Sequence, residues 1–492
     1  MSGAGKDYGK YARPKLSLYL EALGLDKTYV EGEGAQLIYL DANGDKCVVD
    51  DFVGGYGAAL LGHNHPELVS EAQAALSARV VNHGQGSVRA EAGLLAAKVS
   101  ELLRRQKDEN WITTLVNTGT EAVEAARRHA LLAYEDRALD LTQKLAGLTE
   151  KNLRSATALE RGELTTTLRN LGVEVESQDP RSLAAHVNRI NEHLVRDLPP
   201  MLMTLEKSFH GRTKGSYELT DRAGREDLQP QAVDSIIRVA TDLKEVEAAF
   251  EQHHFELNYV GTSGEGAKLK KIKFSRIAAF FIEPVQGEAG IYPLERSFID
   301  LCRNLCSRHG TLLIFDESQC GLGRTGELVA ANAAHTYADC YLFAKVLGGG
   351  LSKVGAMSVR ESVYCDRFGY TYTSTFGEDA FSSRIGLKTL QLLTEGDTLQ
   401  VIQSKAAFFR DQLERLVAQN PDVIKEARGL GLMVGLEFNS QERAQSPVLR
   451  ALDDQQMLGY VISSYLLNAW DIRVYPTLAC PLTLRLQPPL AI

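Results

Sequence analysis

The sequence contains no long apolar run, and this absence limits the classes of protein that it can encode. No stretch approaches the ~18 consecutive apolar residues of a membrane-spanning helix. The N-terminal MSGAGKDYGKYARPK also lacks the apolar core of a signal peptide. We therefore expect a cytoplasmic protein without a membrane partner.

Cysteine is scarce and scattered. The seven cysteines are odd in number and widely separated, so they support neither a disulfide framework nor a zinc site. Cys302 and Cys306 lie one helical turn apart. Free cysteine is commonly buried, so we interpret this pair as part of a buried helix face and predict no metal site.

Positive charge is not concentrated anywhere. The net charge is -9 and no long basic block is present, which argues against a nucleic acid or an anionic membrane as a partner. What the chain does have is length and apolar content: 492 residues, 44% of them hydrophobic. It can bury a large core in about two or three domains.

Short apolar runs separated by helical patterns fill the middle of the chain, which is typical of a mostly parallel sheet covered on both faces. A helical pattern between the third and fourth runs predicts a crossover helix. The predicted strands are WITTLVN (111–117), MLMTLE (201–206), IAAFFIEP (277–284), TLLIFDE (311–317) and CYLFAK (340–345).

Two segments depart from this alternation of strand and helix patterns. Residues 131–200 are rich in Leu, Glu, Arg and Thr and contain no strand pattern, so they predict a helical insertion. Residues 258–273 are polar and rich in Gly and Lys, which indicates a surface hairpin or loop with solvated lysines. From about residue 385 a long helix and further short strands predict a smaller α+β domain.

The phrase DESQCGLGRTG, at 316–326, allows two interpretations. Its tail is a G-x-G-x-x-G, the outline of a dinucleotide-binding turn. Such a turn requires an acidic residue at the end of the next strand, about 20 positions on. The next strand ends in Lys345, and Asp339 stands before that strand. The sequence therefore argues against a nicotinamide dinucleotide site.

The head of the phrase indicates different chemistry. Two neighbouring predicted strands end in Asp316 and Lys345, which would lie on one rim of a parallel sheet. A lysine followed by the flexible GGG of 348–350 suits a Schiff-base nucleophile, and an aspartate facing a pyridine nitrogen favours its protonated form. The pair predicts pyridoxal phosphate, although either residue alone would also fit a surface lysine or a helix cap.

A phosphate seat is predicted where strand 111–117 meets a helix. Thr118 to Glu121 have the S/T-x-x-E pattern of a capping box, which also occurs on helices that bind nothing. The helix N-terminus offers free amides, Gly119 allows close approach and Thr120 can add a hydroxyl. Phe209 could stack on a cofactor ring or belong to the core.

Seven motifs in order carry a resemblance to a known family. They are NTGTEAVEAA, FHGRT, IEPVQGEAG, FDESQCGLGRTG, AKVLGGG, TSTFG and LRLQPPL. Together they resemble the class III aminotransferases, the ornithine/GABA aminotransferase-like pyridoxal-phosphate enzymes of fold type I. The N-terminal segment LIYLDANGDKCVVDDFVGGYGAALLGHNHPEL is similar as well, and the likeness covers nearly the whole chain outside 131–200.

The resemblance implies roles for the residues around the cofactor. Lys345 would be the Schiff-base lysine and proton shuttle, and Asp316 the partner of the pyridine nitrogen. Gln319 would hydrogen-bond the cofactor's phenolic oxygen, while Gly119 and Thr120 would form the phosphate seat.

Three further residues would complete the cofactor site. Phe209 would stack on the ring, and Glu283 would line the same cavity. Thr375 would reach the phosphate from the other subunit, which implies a homodimer with shared active sites.

The substrate residues that the resemblance implies are Tyr56, Arg212, Glu288 and Arg485. Tyr56 would contact the substrate amine, and Arg212 would bind a substrate carboxylate or serve as a structural ion-pair partner. Arg485 would bind the α-carboxylate of glutamate or 2-oxoglutarate, and Glu288 would pair with it when the other substrate is present. A fixed structural salt bridge is the alternative for that pair.

The chain departs from the family pattern in two places within these motifs. Ser318 stands where valine is common beneath the cofactor ring, so packing there would be looser or gain a hydrogen bond. The segment Gly377-Glu378-Asp379-Ala380 replaces a common GGNP and brings an acidic pair close to the expected subunit boundary.

The expected organisation is an N-terminal segment, a large cofactor-binding α/β domain and a C-terminal small α+β domain. Their boundaries are residues 1–65, 66–384 and 385–492, with the insertion inside the second. The chain ends at Ile492, where relatives continue for a strand and a helix. This indicates a truncated chain or one module of a longer biosynthetic polypeptide.

The expected function is a ping-pong exchange of an amino group. The donor would be glutamate or an ω-amino compound, the acceptor a keto acid or aldehyde, and both would be small molecules. Two alternatives remain open at this stage. One is another class III reaction, a decarboxylation or an amine shift, and the other is a catalytically silent scaffold in a larger assembly. The intact Lys345, Asp316 and Gln319 argue against the scaffold.

Overall fold

The computed structural model describes residues 7–41, 43–84, 86–221, 235–263, 266–334 and 336–492. The α-helices of these residues are α1 (Pro14–Ala22), α2 (Pro66–Ser77), α3 (Ala90–Arg104), α4 (Gly119–Ser155), α5 (Ala158–Asn170), α6 (Pro180–Asp197), α7 (Lys214–Leu219), α8 (Leu243–Gln252), α9 (Arg296–His309), α10 (Asp366–Thr371), α11 (Ala380–Thr394), α12 (Thr398–Gln419), α13 (Pro447–Asp454) and α14 (Leu458–Trp470).

The strands of the same residues begin at the N-terminal meander and end beside the C-terminus. They are β1 (Tyr29–Glu33), β2 (Gln36–Leu40), β3 (Lys46–Asp51), β4 (Trp111–Val116), β5 (Met201–Leu205), β6 (Ile236–Val239), β7 (His254–Ser263), β8 (Gly266–Ser275), β9 (Ile277–Ile282), β10 (Val285–Gln286), β11 (Tyr292–Pro293), β12 (Leu312–Asp316), β13 (Cys340–Phe343), β14 (Gly355–Arg360), β15 (Ile424–Leu430), β16 (Met433–Phe438), β17 (Ile472–Arg473), β18 (Tyr475–Pro476) and β19 (Thr483–Leu486).

The central sheet has the strand order β4-β14-β13-β12-β9-β5-β6 within the described residues. β14 runs antiparallel to β4 and β13, and the other neighbours pair in parallel. The five apolar runs predicted as strands are confirmed as β4, β5, β9, β12 and β13. β6 and β14 were not predicted, because polar residues interrupt both of these short segments.

Helices cover both faces of this sheet, which is why β9 is buried at every position. The predicted crossover helix between β9 and β12 is confirmed as α9. It places Cys302 and Cys306 in the core, as interpreted from the sequence. The expected fold class, an α/β arrangement with a mostly parallel large sheet, is confirmed.

The predicted insertion is helical and contains no strand between residues 131 and 200 in the described chain. It extends α4 to 37 residues and adds α5 and α6. The segment predicted as a surface hairpin is the long hairpin β7–β8, and α6 packs against it. Buried Asn191 secures that contact, because its side chain accepts from the N–H of Asn258 at 2.7 Å and donates to the Asn258 carbonyl at 2.8 Å.

Two smaller sheets join distant parts of the sequence. β1, β2 and β3 form an antiparallel meander, and β17 adds to β3 in parallel. β15, β16, β19 and β18 form a second antiparallel sheet. Because strand pairing alone does not define a domain boundary, the two boundaries between the three segments given above stay predictions.

The helices of the described residues include none that combines the length and the apolar composition needed to cross a membrane.

Candidate active site

A cavity of about 150 Å³ opens at the carboxyl ends of β4, β5, β9, β12 and β13. Its walls bring together residues that lie more than 200 positions apart in the sequence. The predicted cofactor residues that line it are Gly119, Thr120, Phe209, Glu283, Asp316, Gln319 and Lys345.

The N-terminus of α4 forms one wall of this cavity. Thr118 is the N-cap residue, and its hydroxyl accepts from the N–H of Glu121 at 3.2 Å. The predicted capping box is only half correct, because the Glu121 carboxylate accepts from the N–H of Asn117 at 2.7 Å instead of reaching Thr118. A Cβ atom at Gly119 would lie 2.9 Å from the Ser318 hydroxyl oxygen. Glycine therefore keeps the helix end open to an anion.

Asp316 is the last residue of β12, and a histidine holds its carboxylate in place. The Oδ2 atom lies 2.9 Å from His210 Nδ1, and Oδ1 accepts from the N–H of Ser318 at 3.1 Å. Burial opposes the charged form of His210. Its hydrogen bond to Asp316 and the negative charges of Asp316 and Glu283 outweigh that effect, so the pKa of His210 is raised. The contact with Asp316 therefore favours the protonated form of the His210 ring in a buried site.

His210 was not identified from the sequence, although it stands in the quoted motif FHGRT. Its far nitrogen, Nε2, lies 3.3 Å from the Thr204 hydroxyl, so both ring nitrogens have partners. The sequence could have indicated His210 by its position next to Phe209. Both residues follow a strand that ends at the same rim of the sheet as Asp316. A histidine there can contact the carboxylate that follows a neighbouring strand.

Lys345 follows β13 and begins a short 3₁₀ turn, Lys345–Gly348. Its φ of +46° is in the left-handed region, and Gly349 and Gly350 continue the turn with φ of +59° and +71°. Burial lowers the pKa of the Lys345 amine to about 8, and the nearby negative charge of Glu288 only partly opposes this effect. More of the amine is therefore neutral and nucleophilic near neutral pH than in an exposed lysine.

Glu283 supports the wall that carries Phe209. Its carboxylate accepts from the N–H of Phe209 at 2.8 Å and from the N–H of Gly287 at 3.2 Å. Burial raises the pKa of Glu283 to about 7, although His210 and the two N–H donors act in the opposite direction. The carboxyl group anchors the backbone that presents the Phe209 ring.

Gln319 lies between Lys345 and Arg485. The orientation of its amide is assigned from its neighbours, which are cations. With the oxygen facing them, it accepts from Lys345 Nζ at 3.2 Å and from Arg485 Nη1 at 3.3 Å.

Arg485 and Glu288 form a bidentate ion pair in a buried setting. Nη1 donates to Oε1 at 2.6 Å and Nη2 donates to Oε2 at 2.9 Å. The N–H of Leu478 also donates to Glu288, at 3.1 Å. The guanidinium lies 5.0 Å from the ring centroid of Tyr56. Three of the predicted substrate residues are thus in one cluster.

The Tyr56 backbone is strained. Gly54, Gly55, Tyr56 and Gly57 all have positive φ, and Tyr56 itself has a φ of +55°. A side chain in this region costs energy that glycine avoids. Its ring stacks on Tyr475 at 6.4 Å, so packing against Tyr475 and Arg485 holds this residue at the edge of the site.

Two predicted residues lie apart from these contacts. Arg212 is exposed, and its guanidinium is 6.0 Å from the ring centroid of Phe209. Among the described residues it has no ion pair, so the structural interpretation of Arg212 gains no support. Thr375 is exposed in the segment between α10 and α11 and does not line the cavity around Lys345.

The glycine-rich tail of residues 316–326 has a structural role. No helix begins at its glycines, which removes the dinucleotide interpretation. Arg324 is fully buried, and it donates to the carbonyls of Pro488 at 2.6 Å and Gly57 at 3.1 Å. Arg324 thus ties residues 321–326 to the N-terminal and C-terminal parts of the chain. Asp316, at the start of the same motif, lines the cavity.

The acidic pair that departs from the family pattern is engaged locally. Glu378 forms an ion pair with Arg89 at 2.6 Å, and Asp379 caps α11 by accepting from the N–H of Ser382 at 2.7 Å. Neither side chain lines the cavity around Lys345.

The residues present fit pyridoxal phosphate. The Lys345 amine, which is buried and has a lowered pKa, faces the same cavity as the Asp316 carboxylate. The N-terminus of α4 opens into that cavity as well. The Ser318 hydroxyl oxygen is buried and has no partner among the described residues. A phosphorylated pyridine would supply groups that complement each of these features.

Comparison with known proteins agrees with this chemistry. An acetylornithine aminotransferase of Rhodobacter capsulatus is 42% identical over 161 residues, which are 33% of this chain and 41% of that protein. A putrescine aminotransferase of Pectobacterium atrosepticum is 25% identical over 92% of this chain and 76% of its own length.

A solved ω-aminotransferase of Paracoccus denitrificans has a TM-score of 0.68 at 17% identity, covering 95% of this chain and 89% of that structure, and shows the same fold. The model of the family described as aminotransferase class-III matches residues 24–480. The chain therefore belongs to the class III aminotransferases, a family of pyridoxal-phosphate enzymes.

Proposed function

We propose that this protein transfers the terminal amino group of an unbranched amine to a keto acid, with glutamate and 2-oxoglutarate as the second substrate pair. The names of two relatives support the choice of amine, because acetylornithine and putrescine both carry a primary amine at the end of an unbranched carbon chain. The reaction would proceed as two half-reactions on pyridoxal phosphate.

The observation that carries this proposal is the closed pair of Arg485 and Glu288. While the pair is closed, the Arg485 guanidinium is neutralised and is not available to a carboxylate. This state favours a donor with no carboxylate beside the reacting amine. If Glu288 turns aside, Arg485 offers a ready-made bidentate site for the α-carboxylate of the second substrate.

The residues around Lys345 have distinct roles in this proposal. When bound, pyridoxal phosphate supplies an electron sink for the carbon that loses its proton. Lys345 Nζ carries that proton, and Gln319 positions the amine through the 3.2 Å contact. Asp316 would hold the pyridine nitrogen and favour its protonated form, while His210 orients the Asp316 carboxylate.

The remaining residues bind and position. Gly119 and Thr120 would bind the phosphate at the α4 N-terminus, and Phe209 would pack on the ring. Tyr56 contacts the donor amine, and Arg212 is an exposed cation at the outer side of Phe209. Thr375 completes the phosphate site of the partner subunit, so the working enzyme is a homodimer.

The test is a single-turnover experiment with a panel of donors. Putrescine and N-acetylornithine are compared with lysine, alanine and glutamate by following the absorbance of the bound cofactor and the keto or aldehyde product. We expect the terminal amines and glutamate to react faster than alanine.

Lys345→Ala is the control, because the protein should still bind cofactor but lose amino transfer. Borohydride reduction of the wild type followed by peptide mapping should place the cofactor on Lys345. Release of carbon dioxide without a keto product, or no reaction with any amine, would contradict the proposal.

A further inference from the structure

Ser318 carries a hydroxyl for which the protein provides no partner. It lies two residues after Asp316, and its backbone N–H donates to the Asp316 carboxylate at 3.1 Å. The side chain lines the cofactor cavity. Its hydroxyl oxygen is buried and forms no hydrogen bond within the described residues.

The direction of this hydroxyl is given by its neighbours. A Cβ atom built on Gly119 would lie 2.9 Å from the Ser318 oxygen and 3.3 Å from the Cβ of Ala344. The oxygen therefore faces the first residue of α4, at the end of the helix where backbone N–H groups are unpaired. Ala344, on the other side, offers only a methyl group.

A buried hydroxyl without a partner destabilises a folded protein, and an arriving acceptor removes that penalty. Valine, the residue common in the family, would carry no such penalty and could make no such bond. A group that binds at the α4 N-terminus would be negatively charged and would accept hydrogen bonds. The hydroxyl and the helix end thus suit the same ligand.

We propose that Ser318 is a cofactor-positioning residue whose hydroxyl donates a hydrogen bond to the phosphate of bound pyridoxal phosphate. The phosphate then has donors from two separate elements of one subunit, the N-terminus of α4 and the loop after β12. Because that loop also carries Asp316, the hydrogen bond sets the distance between the phosphate seat and the carboxylate that faces the ring nitrogen. This inference uses the cofactor of the family and does not depend on which amine is the donor.

The test compares ligands with and without a phosphate. Dissociation constants of pyridoxal phosphate and pyridoxal are measured by fluorescence for the wild type and for Ser318→Ala, Ser318→Val and Ser318→Thr. We expect Ser318→Ala and Ser318→Val to bind pyridoxal phosphate about ten-fold more weakly, the scale of one hydrogen bond to a charged group. Pyridoxal affinity should stay unchanged, and Ser318→Thr should retain wild-type affinity for both ligands.

Thermal unfolding supplies a readout that does not depend on catalysis. Cofactor-free Ser318→Ala should unfold at the same temperature as the wild type or higher. The rise in its unfolding temperature on adding pyridoxal phosphate should be smaller than that of the wild type. Tyr134→Phe is the matched control, because it removes another buried, unpaired hydroxyl that lies on α4 outside the cavity. It should leave the cofactor-induced gain unchanged.

Two results would overturn the proposal. If the Ser318 variants bind pyridoxal more weakly by the same factor as pyridoxal phosphate, the hydroxyl does not act on the phosphate. If Ser318→Val and Ser318→Thr both bind pyridoxal phosphate like the wild type, the hydroxyl has no positioning role. In either case the cofactor band on Lys345 would remain, so the proposed function would stand independently.

Discussion

Removal of the Arg485 guanidinium should separate the two half-reactions of this enzyme. In Arg485→Ala, a substrate with an α-carboxylate loses its bidentate partner, whereas an amine such as putrescine has no carboxylate to lose. Glu288 would then keep only the Leu478 N–H among the contacts described above, which leaves a buried carboxylate short of partners. Arg485→Ala/Glu288→Gln serves as the companion variant, because it removes that unpaired charge.

The magnitude follows from the two hydrogen bonds of the pair, at 2.6 and 2.9 Å. A hydrogen bond to a charged group contributes about 1.5–3 kcal/mol. A substrate carboxylate that replaces the Glu288 carboxylate exchanges one bidentate pair for another, so we expect the glutamate half-reaction to lose about 2–3 kcal/mol more than the amine half-reaction. This difference corresponds to about 30- to 150-fold in the rate ratio.

Stopped-flow measurement at the absorbance band of the bound cofactor gives both rates for each variant. Arg485→Lys should fall between the wild type and Arg485→Ala, because lysine keeps the charge but not the planar fork. Equal losses in both half-reactions, in the single and the double variant alike, would show that Arg485 only holds the pocket together. The pair would then be a fixed salt bridge.

Four further predictions address the cofactor site. The rate at which added pyridoxal phosphate attaches to the cofactor-free protein should rise with pH and level off above about 8. The reason is that the neutral Lys345 amine is the nucleophile and its pKa is lowered to about 8. A rate independent of pH between about 6 and 9 would contradict this expectation. Asp316→Asn should still attach cofactor but slow the proton transfer at the substrate carbon, and an unchanged single-turnover rate would count against the role of Asp316. His210→Phe should slow the same step by about ten-fold, since it removes one hydrogen bond to a charged group, and a loss as large as that of Asp316→Asn would mean that His210 does more than orient the carboxylate. If Thr375 reaches the partner's phosphate, cofactor affinity should fall as the protein is diluted to monomers, and sedimentation of a fully active monomer would refute it.

The strands were predictable where both faces of the sheet are covered. β9 reads as IAAFFI, and its unbroken apolar run needs no information from other segments to be recognised. β14, which reads as GAMSVR, is buried over most of its length but includes glycine, serine and arginine. Its serine is paired across the sheet with Thr113 at 2.9 Å, so a cross-strand partner makes the polar residue acceptable, and a partner of that kind is invisible in a local pattern.

The residues of the candidate site also divide into those that a local pattern reveals and those that depend on a partner from another element. Asp316 and Lys345 could be predicted because each follows an apolar run, and neighbouring parallel strands end at one rim. The contact of His210 with Asp316 joins residues 106 positions apart, and that of Glu288 with Arg485 joins residues 197 positions apart. No periodicity encodes such pairs, because they depend on which loops the fold brings to the same rim.

The sequence by itself determined the strands that are apolar throughout, the helical insertion, the crossover helix and the position of Lys345 and Asp316 at one rim of the sheet. These features depend on residues close together in the chain, whose spacing directly sets local structure and burial. Only the tertiary structure decided that His210 contacts the Asp316 carboxylate, that Gln319 links Arg485 to Lys345, and that the Ser318 hydroxyl has no partner in the described chain. Each of these depends on side chains from different elements meeting in a buried space, where distance and orientation determine which polar groups are satisfied.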